Sequence, residues 1–132
     1  MQPTLETTQL VVTDSVVQAY AQLTDDFNPI HLDPTFAAGT PLGRPIAHGT
    51  LSLCLIWQSL QKSFGDSVFE DVELEVKFVK PVFIGDVITA GGHVDENEPC
   101  HFAVWVRGGD GIDRITGSVR LAEKPGSQGE KG

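Results

Sequence analysis

The segment that most limits how this chain can fold is an apolar stretch near its middle. Residues 49 to 64 read GTLSLCLIWQSLQKSF, in which apolar side chains from Leu51 to Leu60 occupy nearly every side of a helix. A helix without a polar face is normally buried by the rest of its protein. The segment therefore predicts a central helix that the other elements cover.

The sequence after this helix has the two-residue period of strands with one buried face. The apolar positions of four such stretches are Val72, Leu74, Val76 and Phe78; Ile88, Ala90 and Val94; Phe102, Val104 and Val106; and Ile115, Val119 and Leu121. The turn Ile84-Gly85-Asp86 is expected to end one strand, and GGDG at 108 to 111 to form a hairpin. An early strand over residues 5 to 12 completes an α+β fold, an antiparallel sheet wrapped around one helix.

A shorter helix is predicted over residues 14 to 24. Its apolar positions are Val16, Val17, Ala19, Tyr20 and Leu23, and they follow a Thr13-Asp14 pair that is suited to capping. Pro29 limits this helix, because the residue before a proline is pushed out of helical geometry. Residues 25 to 47 are therefore expected to run as one long loop, whose apolar side chains favour a packed, functional segment over a linker.

Composition and charge narrow the classes of function. The 132 residues are 40% hydrophobic and 20% charged, which predicts a single domain over residues 1 to 123, with a disordered tail at 124 to 132. The formal net charge of −9 argues against a partner that is nucleic acid or an anionic membrane, since both need a cationic field. No membrane span or secretion signal is recognised, so a cytoplasmic protein is predicted. Cys54 and Cys100 are expected to be reduced and in or near the core.

The predicted loop begins with residues that can do chemistry. In DDFNPIH, the turn at Asn28-Pro29 lets Asp26 and His31 fold towards one point. A carboxylate and an imidazole that face one cavity can hold and polarise a water molecule. The residues alone leave two alternatives. Either Asp26 caps a turn while His31 packs as a satisfied polar side chain, or His31 binds a metal with Asp33 and His48. The second set lacks the spacing of zinc motifs, and no metal is predicted.

Gly49 stands at the entry to the central helix. Backbone N–H groups at a helix start carry partial positive charge, which suits an oxyanion. From its position alone, Gly49 either polarises a docked carbonyl group or is simply a small residue that permits close packing.

With these motifs, the chain resembles the MaoC-like, or (R)-specific enoyl-CoA hydratase, family, also called hydratase 2, which has the hot-dog fold. The resemblance is carried by YAQLTDDFNPIHLDPTFAAGTPLGRPIAHGT and EVKFVKPVFIGDVIT, which together cover most of residues 14 to 90. D-x-N-P-x-H followed by R-P-x-x-H-G is a specific combination. The resemblance implies hydration of trans-2-enoyl thioesters to (R)-3-hydroxyacyl thioesters, or the reverse dehydration. It also implies a homodimer and no cofactor, with coenzyme A or acyl-carrier protein as part of the substrate.

By position, the resemblance implies that Asp26 and His31 are the catalytic pair and that the Gly49 N–H polarises the thioester carbonyl. Asn28 matches the asparagine that shapes the loop. Asp25 departs from the family, which usually has glycine directly before the catalytic aspartate, and this leaves the rate and the pH optimum open more than the reaction class.

Other residues are candidates for contact with the substrate. Phe36, His48, Thr50 and Trp57 are candidate pocket residues, although Phe36 and Trp57 would equally fill the core. Candidates for a basic patch that meets the carrier's phosphates are Arg44, Lys62, Lys77 and Lys80.

Two other functions compete with hydration. Thioesterases of the same fold usually carry a carboxylate on the central helix, and GTLSLCLIWQSL has none. A non-catalytic acyl-thioester-binding subunit of a hetero-oligomeric dehydratase would not need both Asp26 and His31.

Overall fold

The computed structural model of the protein describes residues 4–121. Its elements are β1 (Thr8–Val11), α1 (Asp14–Thr24), α2 (Pro29–Leu32), α3 (Pro34–Ala38), α4 (Gly49–Phe64), β2 (Val72–Phe78), β3 (Val87–Asp95), β4 (Glu98–Gly108) and β5 (Asp113–Leu121), with a 3₁₀ turn at Asp66–Glu70. The tail predicted at 124 to 132 lies outside the described residues. In the described part of the chain, no helix has the length and hydrophobicity needed to cross a membrane.

The five strands form one antiparallel sheet in the order β1-β3-β4-β5-β2. The helix α4 packs against β1, β3 and β4. The alternating positions of the inner strands are buried as their period predicts, and they include Ile88, Ala90, Phe102, Val104, Val106, Ile115, Val119 and Leu121. The predicted arrangement of a sheet around one helix is therefore confirmed.

The central helix is less completely enclosed than its sequence predicts. Its buried face is formed by Leu51, Ser52, Leu55, Ile56, Ser59 and Leu60. On the other side, Leu53, Cys54 and Trp57 are only half-buried. The expectation of burial on all sides is wrong for that face, because the sheet of this chain covers one side of the helix. Both Cys54 and Cys100 are free and half-buried, as predicted.

The segment predicted as one long loop is partly helical. Helices α2 and α3 interrupt residues 25 to 47, and each begins with a proline at its first turn. Proline is well suited to that position because the N–H it lacks has no partner inside the helix. Pro29, which was expected only to limit α1, therefore starts α2, and Pro34 starts α3.

Smaller differences concern the ends of elements. The side chain of Leu23 is 81% exposed rather than packed, and the buried residues of α1 are Val17 and Ala21. The Ile84-Gly85-Asp86 turn precedes β3, since β2 already ends at Phe78. The hairpin between β4 and β5 lies where GGDG predicts it.

Candidate active site

The site begins where α1 ends in a left-handed turn. Asp25 has φ 58° and ψ 35°, and the backbone N–H groups of Asp25 and Asp26 both bond to the carbonyl of Ala21. This turn reverses the chain so that Asp26 leaves the helix. A left-handed conformation costs an L-residue about 1–2 kcal/mol. Glycine adopts it without that cost, which gives a physical reason for the glycine that the resemblance leads us to expect at this position. The Asp25 side chain itself is exposed.

Two successive caps then place His31. The Oδ1 atom of Asp26 accepts from the Asn28 N–H at 3.2 Å, and Asn28 Oδ1 accepts from the Ile30 N–H at 3.0 Å. Asn28 thus caps α2, with Pro29 in its first turn. Asp26 therefore stabilises the turn, as the residues suggested, but only one of its two carboxylate oxygens does so. The other oxygen makes none of the hydrogen bonds found among the described residues.

The ring of His31 is held in a definite orientation and is only 9% exposed. Its Nδ1 lies 2.7 Å from the carbonyl oxygen of Ile46. Because a carbonyl only accepts, Nδ1 carries the hydrogen, and in the neutral ring Nε2 is left with the lone pair. The local structure therefore presents His31 as a hydrogen-bond acceptor.

His48 supports both members of the pair from behind. Its ring stacks on that of His31, with 3.9 Å between centroids and 25° between planes, and its Nε2 donates to the backbone carbonyl of Asp26 at 3.0 Å. The side chain of His48 is only 2% exposed, so the protein surrounds it on nearly all sides. These contacts help to position Asp26 and His31, and the substrate contact that the sequence suggested for His48 stays a prediction.

Tyr20 completes the stack on the far side of His48. The Tyr20 ring meets His48 edge-on at 5.1 Å, and its hydroxyl donates to Thr50 Oγ1 at 2.8 Å. Burial raises the pKa of Tyr20 above its ordinary value of 10.0, which keeps the phenol protonated and able to donate. Sequence analysis placed Tyr20 only on the apolar face of α1, since nothing in its spacing indicates a contact with residues 28 or 30 positions away.

The distances within the site suit one bridging water. A carboxylate oxygen of Asp26 and one ring nitrogen from each of His31 and His48 lie within 4.8 Å of one another. Two hydrogen bonds of about 2.8 Å to one tetrahedral water span about 4.6 Å. Asp26 and His31 are therefore close enough to hold one water molecule between them.

The same three residues are poorly arranged for a metal. The rings of His31 and His48 are stacked 3.9 Å apart with 25° between their planes, whereas an ion bound by a lone pair of each ring would have to lie close to both planes. Asp33, the third ligand in the alternative drawn from the sequence, caps α3 by accepting from the N–H groups of Thr35 and Phe36. The set His31, Asp33 and His48 is not brought together.

Gly49 is the first residue of α4 and borders a mostly apolar cavity of about 290 Å³. The N–H of a first helical residue has no acceptor inside its helix. A Cβ atom at Gly49 would lie 3.1 Å from Cε1 of Phe78, so a side chain here would crowd the cavity wall. Close packing at Gly49 is therefore present in the structure, while the polarising role of its N–H stays a prediction. Ile46 links the two parts of the site, because it lines the cavity and its carbonyl accepts from His31.

None of the four candidate pocket residues lines this cavity. Phe36 is 48% exposed on α3, and Trp57 is half-buried against Phe69, with ring centroids 5.8 Å apart. Thr50 Oγ1 accepts from the Tyr20 hydroxyl and His48 Nε2 donates to the Asp26 carbonyl, while the buried His48 Nδ1 has no hydrogen-bond partner among the described residues. Asp26 and His31 also lie outside the cavity lining, and His31 adjoins it through its hydrogen bond to the Ile46 carbonyl.

The chain is similar to known proteins in sequence and in fold. A family model described as "MaoC like domain" matches residues 1–114. The chain is 43% identical over 74 residues to the (R)-specific enoyl-CoA hydratase of Aeromonas caviae, covering 56% of this chain and 55% of that protein. It is 36% identical over 88 residues to the 3-hydroxybutyryl-CoA dehydratase of Methylorubrum extorquens, covering 67% of this chain and 56% of that one. The chain thus spans about half the length of the curated relatives that it matches.

A solved structure agrees with the fold over nearly its whole length. The (R)-hydratase from A. caviae involved in PHA biosynthesis superposes with a TM-score of 0.76 and 30% identity, covering 92% of this chain and 96% of that one. The family match covers most of the sequence, and the superposition covers the same sheet and helix. The chain therefore belongs to the MaoC-like family and has its hot-dog fold.

Proposed function

We propose that this protein catalyses the reversible (R)-specific addition of water to trans-2-enoyl thioesters. The observation that carries the proposal is the pairing of the Asp26 carboxylate with His31 within reach of one water molecule. The names of the relatives support the same reaction class, since they are hydratases and dehydratases of acyl thioesters.

In the proposed reaction, Asp26 and His31 orient the water and remove one of its protons as the oxygen bonds to C3 of the substrate. The pair returns a proton to C2 on the same face, so one O–H of the water ends on C3 and the other hydrogen on C2. The unprotonated Nε2 of His31 is suited to accepting the proton. Positioned acid-base groups and carbonyl polarisation are sufficient for this chemistry, so we propose no cofactor.

The negative charge that develops on the thioester oxygen needs a donor. The Gly49 N–H lies at the start of the 16-residue helix α4, where the helix dipole favours a negative charge. In a cavity with apolar walls, such a hydrogen bond is stronger than in water. We assign to Gly49 the role of polarising the carbonyl that docks in the cavity.

The competing functions have less structural support. The whole of α4 contains neither Asp nor Glu, so the carboxylate expected of a thioesterase is missing from the central helix. A subunit that only binds acyl thioesters would have no use for the hydrogen bonds that orient both Asp26 and His31.

The assembly we propose is a homodimer formed through β2. This strand lies at one edge of the sheet and has seven residues, whereas β1 at the other edge has four. A long free edge favours pairing with another strand. Size-exclusion chromatography with light scattering is expected to give the mass of two chains, and a monomer at micromolar concentration would contradict the proposal.

The activity is tested by the loss of the conjugated-thioester absorbance of crotonyl-CoA, followed by analysis of product chirality. Asp26→Asn and His31→Gln are each expected to lower kcat by roughly 10²–10⁴-fold while circular dichroism shows a folded protein. Asp33→Asn is the matched control in the same segment, because asparagine also caps helices. An active Asp26→Asn variant, an (S)-alcohol product or release of free thiol would reject the proposed reaction.

A further inference from the structure

A second concave surface adjoins the cavity at Gly49. It is a groove of about 370 Å³, and it shares Lys80 and Pro81 with that cavity. Two paired backbone segments form the common wall. Ala47 donates to the Val82 carbonyl at 2.7 Å, and Ile46 and Phe83 form an antiparallel bridge. The segment from Arg44, which lines the groove, to Gly49, which lines the cavity, therefore connects the two concave surfaces.

The two acidic residues of the groove both lie against Arg114. Arg114 reaches both carboxylate oxygens of Asp110 at 3.1 Å and lies 3.6 Å from Asp86. Hydrogen bonding to the Arg114 guanidinium lowers the pKa of Asp110 below its ordinary value of 3.8, so this carboxylate is charged and paired. Asp86 also accepts from the Phe83 N–H at 2.9 Å.

Two further cations in the groove are available. Arg44 and Lys80 are exposed, and neither takes part in the ion pairs found among residues 4–121. The Arg44 guanidinium lies over the Phe83 ring at 4.2 Å from its centroid, which orients it at the groove. With three cations and two carboxylates, the groove is cationic in a protein whose net charge is −9.

We infer that Arg44 and Lys80 bind a phosphate group of the substrate's carrier arm, which would run from the groove to the thioester at Gly49. This inference rests on the proposed function and adds the recognition of the carrier. A phosphate is the complementary ligand because it is an anion that two exposed cations can reach together. The planar guanidinium of Arg44 can also bind two phosphate oxygens at once. Coenzyme A and a phosphopantetheinylated carrier protein share this chemistry.

The sequence alone gave four candidate cations, and the structure separates them. Lys62 donates to the Thr7 carbonyl at 3.0 Å, on the far end of α4 from Gly49. Lys77 alternates with Phe78 along β2, so its side chain points to the opposite face of the sheet. Neither lines the groove, and together they provide a control of equal charge.

The test compares the double variants Arg44→Gln/Lys80→Gln and Lys62→Gln/Lys77→Gln. Each is assayed with crotonyl-CoA, crotonyl-4′-phosphopantetheine and crotonyl-pantetheine, which carries no phosphate. The groove variant is expected to raise KM about 10-fold for the phosphate-bearing substrates with kcat unchanged. With crotonyl-pantetheine, its KM is expected to equal that of the unmodified protein.

The outcomes separate the sources of phosphate and the two proposals. A KM increase with both phosphorylated substrates indicates the phosphate of the pantetheine arm, and an increase with crotonyl-CoA alone indicates the nucleotide part; each supports a phosphate subsite. An equal increase with crotonyl-pantetheine, or the same effect in the Lys62/Lys77 control, would overturn it. Calorimetric binding of coenzyme A, weakened about 10-fold in the groove variant, tests the subsite without turnover. The binding measurement therefore still tests the phosphate subsite if no substrate is hydrated.

Discussion

The role of the Gly49 N–H can be tested by two substitutions that differ in that one group. Gly49→Pro removes the N–H, and Gly49→Ala keeps it while adding the same Cβ atom. Proline fits the first turn of a helix, where its missing N–H has no intrahelical partner. The preceding residue must be extended, and His48 already has φ −62° and ψ 136°. Both variants are therefore expected to fold.

The magnitudes follow from the surroundings of Gly49. The added Cβ would lie 3.1 Å from Phe78, whose side chain is 54% exposed and can withdraw by a few tenths of an ångström. Moving that ring costs about 1 kcal/mol or less, which limits the loss in the alanine variant to roughly fivefold. Removing one donor to an oxyanion costs roughly 10²–10³-fold in kcat. The proline variant is thus expected to be at least roughly 20-fold slower than the alanine variant.

The assay is kcat for crotonyl-CoA hydration, with melting temperatures measured to confirm that both variants are folded. Equal rates in folded alanine and proline variants would refute the reasoning, because the N–H would then contribute nothing to the transition state. A large loss in both variants would place the effect in the Phe78 contact instead.

Three further substitutions test other contacts. Asp25→Gly removes about 1–2 kcal/mol of left-handed strain and adds about 0.5–1 kcal/mol of glycine entropy cost, so calorimetry is expected to show a melting temperature higher by up to about 6 °C; a decrease would contradict the strain argument. Asp110→Asn is expected to lower the urea midpoint at pH 7. Because the pKa of Asp110 is lowered in the folded protein, its interaction with Arg114 is stabilising above pH 3.8 and is lost as the pH falls through the folded pKa. The difference in urea midpoint between the variant and the unmodified protein should therefore shrink towards pH 3, and a constant difference would reject this assignment. His48→Phe keeps a ring against His31 but removes the donor to the Asp26 carbonyl, and is expected to lower kcat roughly 10-fold with KM unchanged; a change in KM alone would indicate a substrate contact.

Much of the fold is predictable because its signals are long and periodic. The apolar run of α4 and the alternation in β2 to β5 each extend over many residues, and only one kind of element accommodates each pattern. The short helices α2 and α3 were missed because a helix of four or five residues gives no periodic signal. Their capping residues, Asn28 and Asp33, are the same residue types that form turns.

The candidate site is likewise predictable from the sequence only in part. A local turn joins Asp26 to His31, so their proximity can be predicted from the sequence between them. The contacts of His48 and Tyr20 are tertiary, because His48 bonds to a carbonyl 22 residues earlier and Tyr20 to a hydroxyl 30 residues later. No local spacing indicates such contacts, which depend on how α1 and α4 pack against the same segment.

The residues of the site all stand at helix ends. Asp26 follows the last turn of α1, His31 lies in the one turn of α2, and His48 and Gly49 cap and begin α4. Helix ends expose backbone groups that side chains must satisfy, so the residues that cap and the residues that bind water or an oxyanion are of the same types. Structural and catalytic interpretations of Asp26 are therefore not alternatives. One carboxylate oxygen holds the turn, and the same carboxylate lies within 4.8 Å of a ring nitrogen of His31. Asparagine supplies the first function without the second, so an inactive but equally stable Asp26→Asn variant would separate them, whereas a variant that loses stability and activity together would show that the turn is the main role.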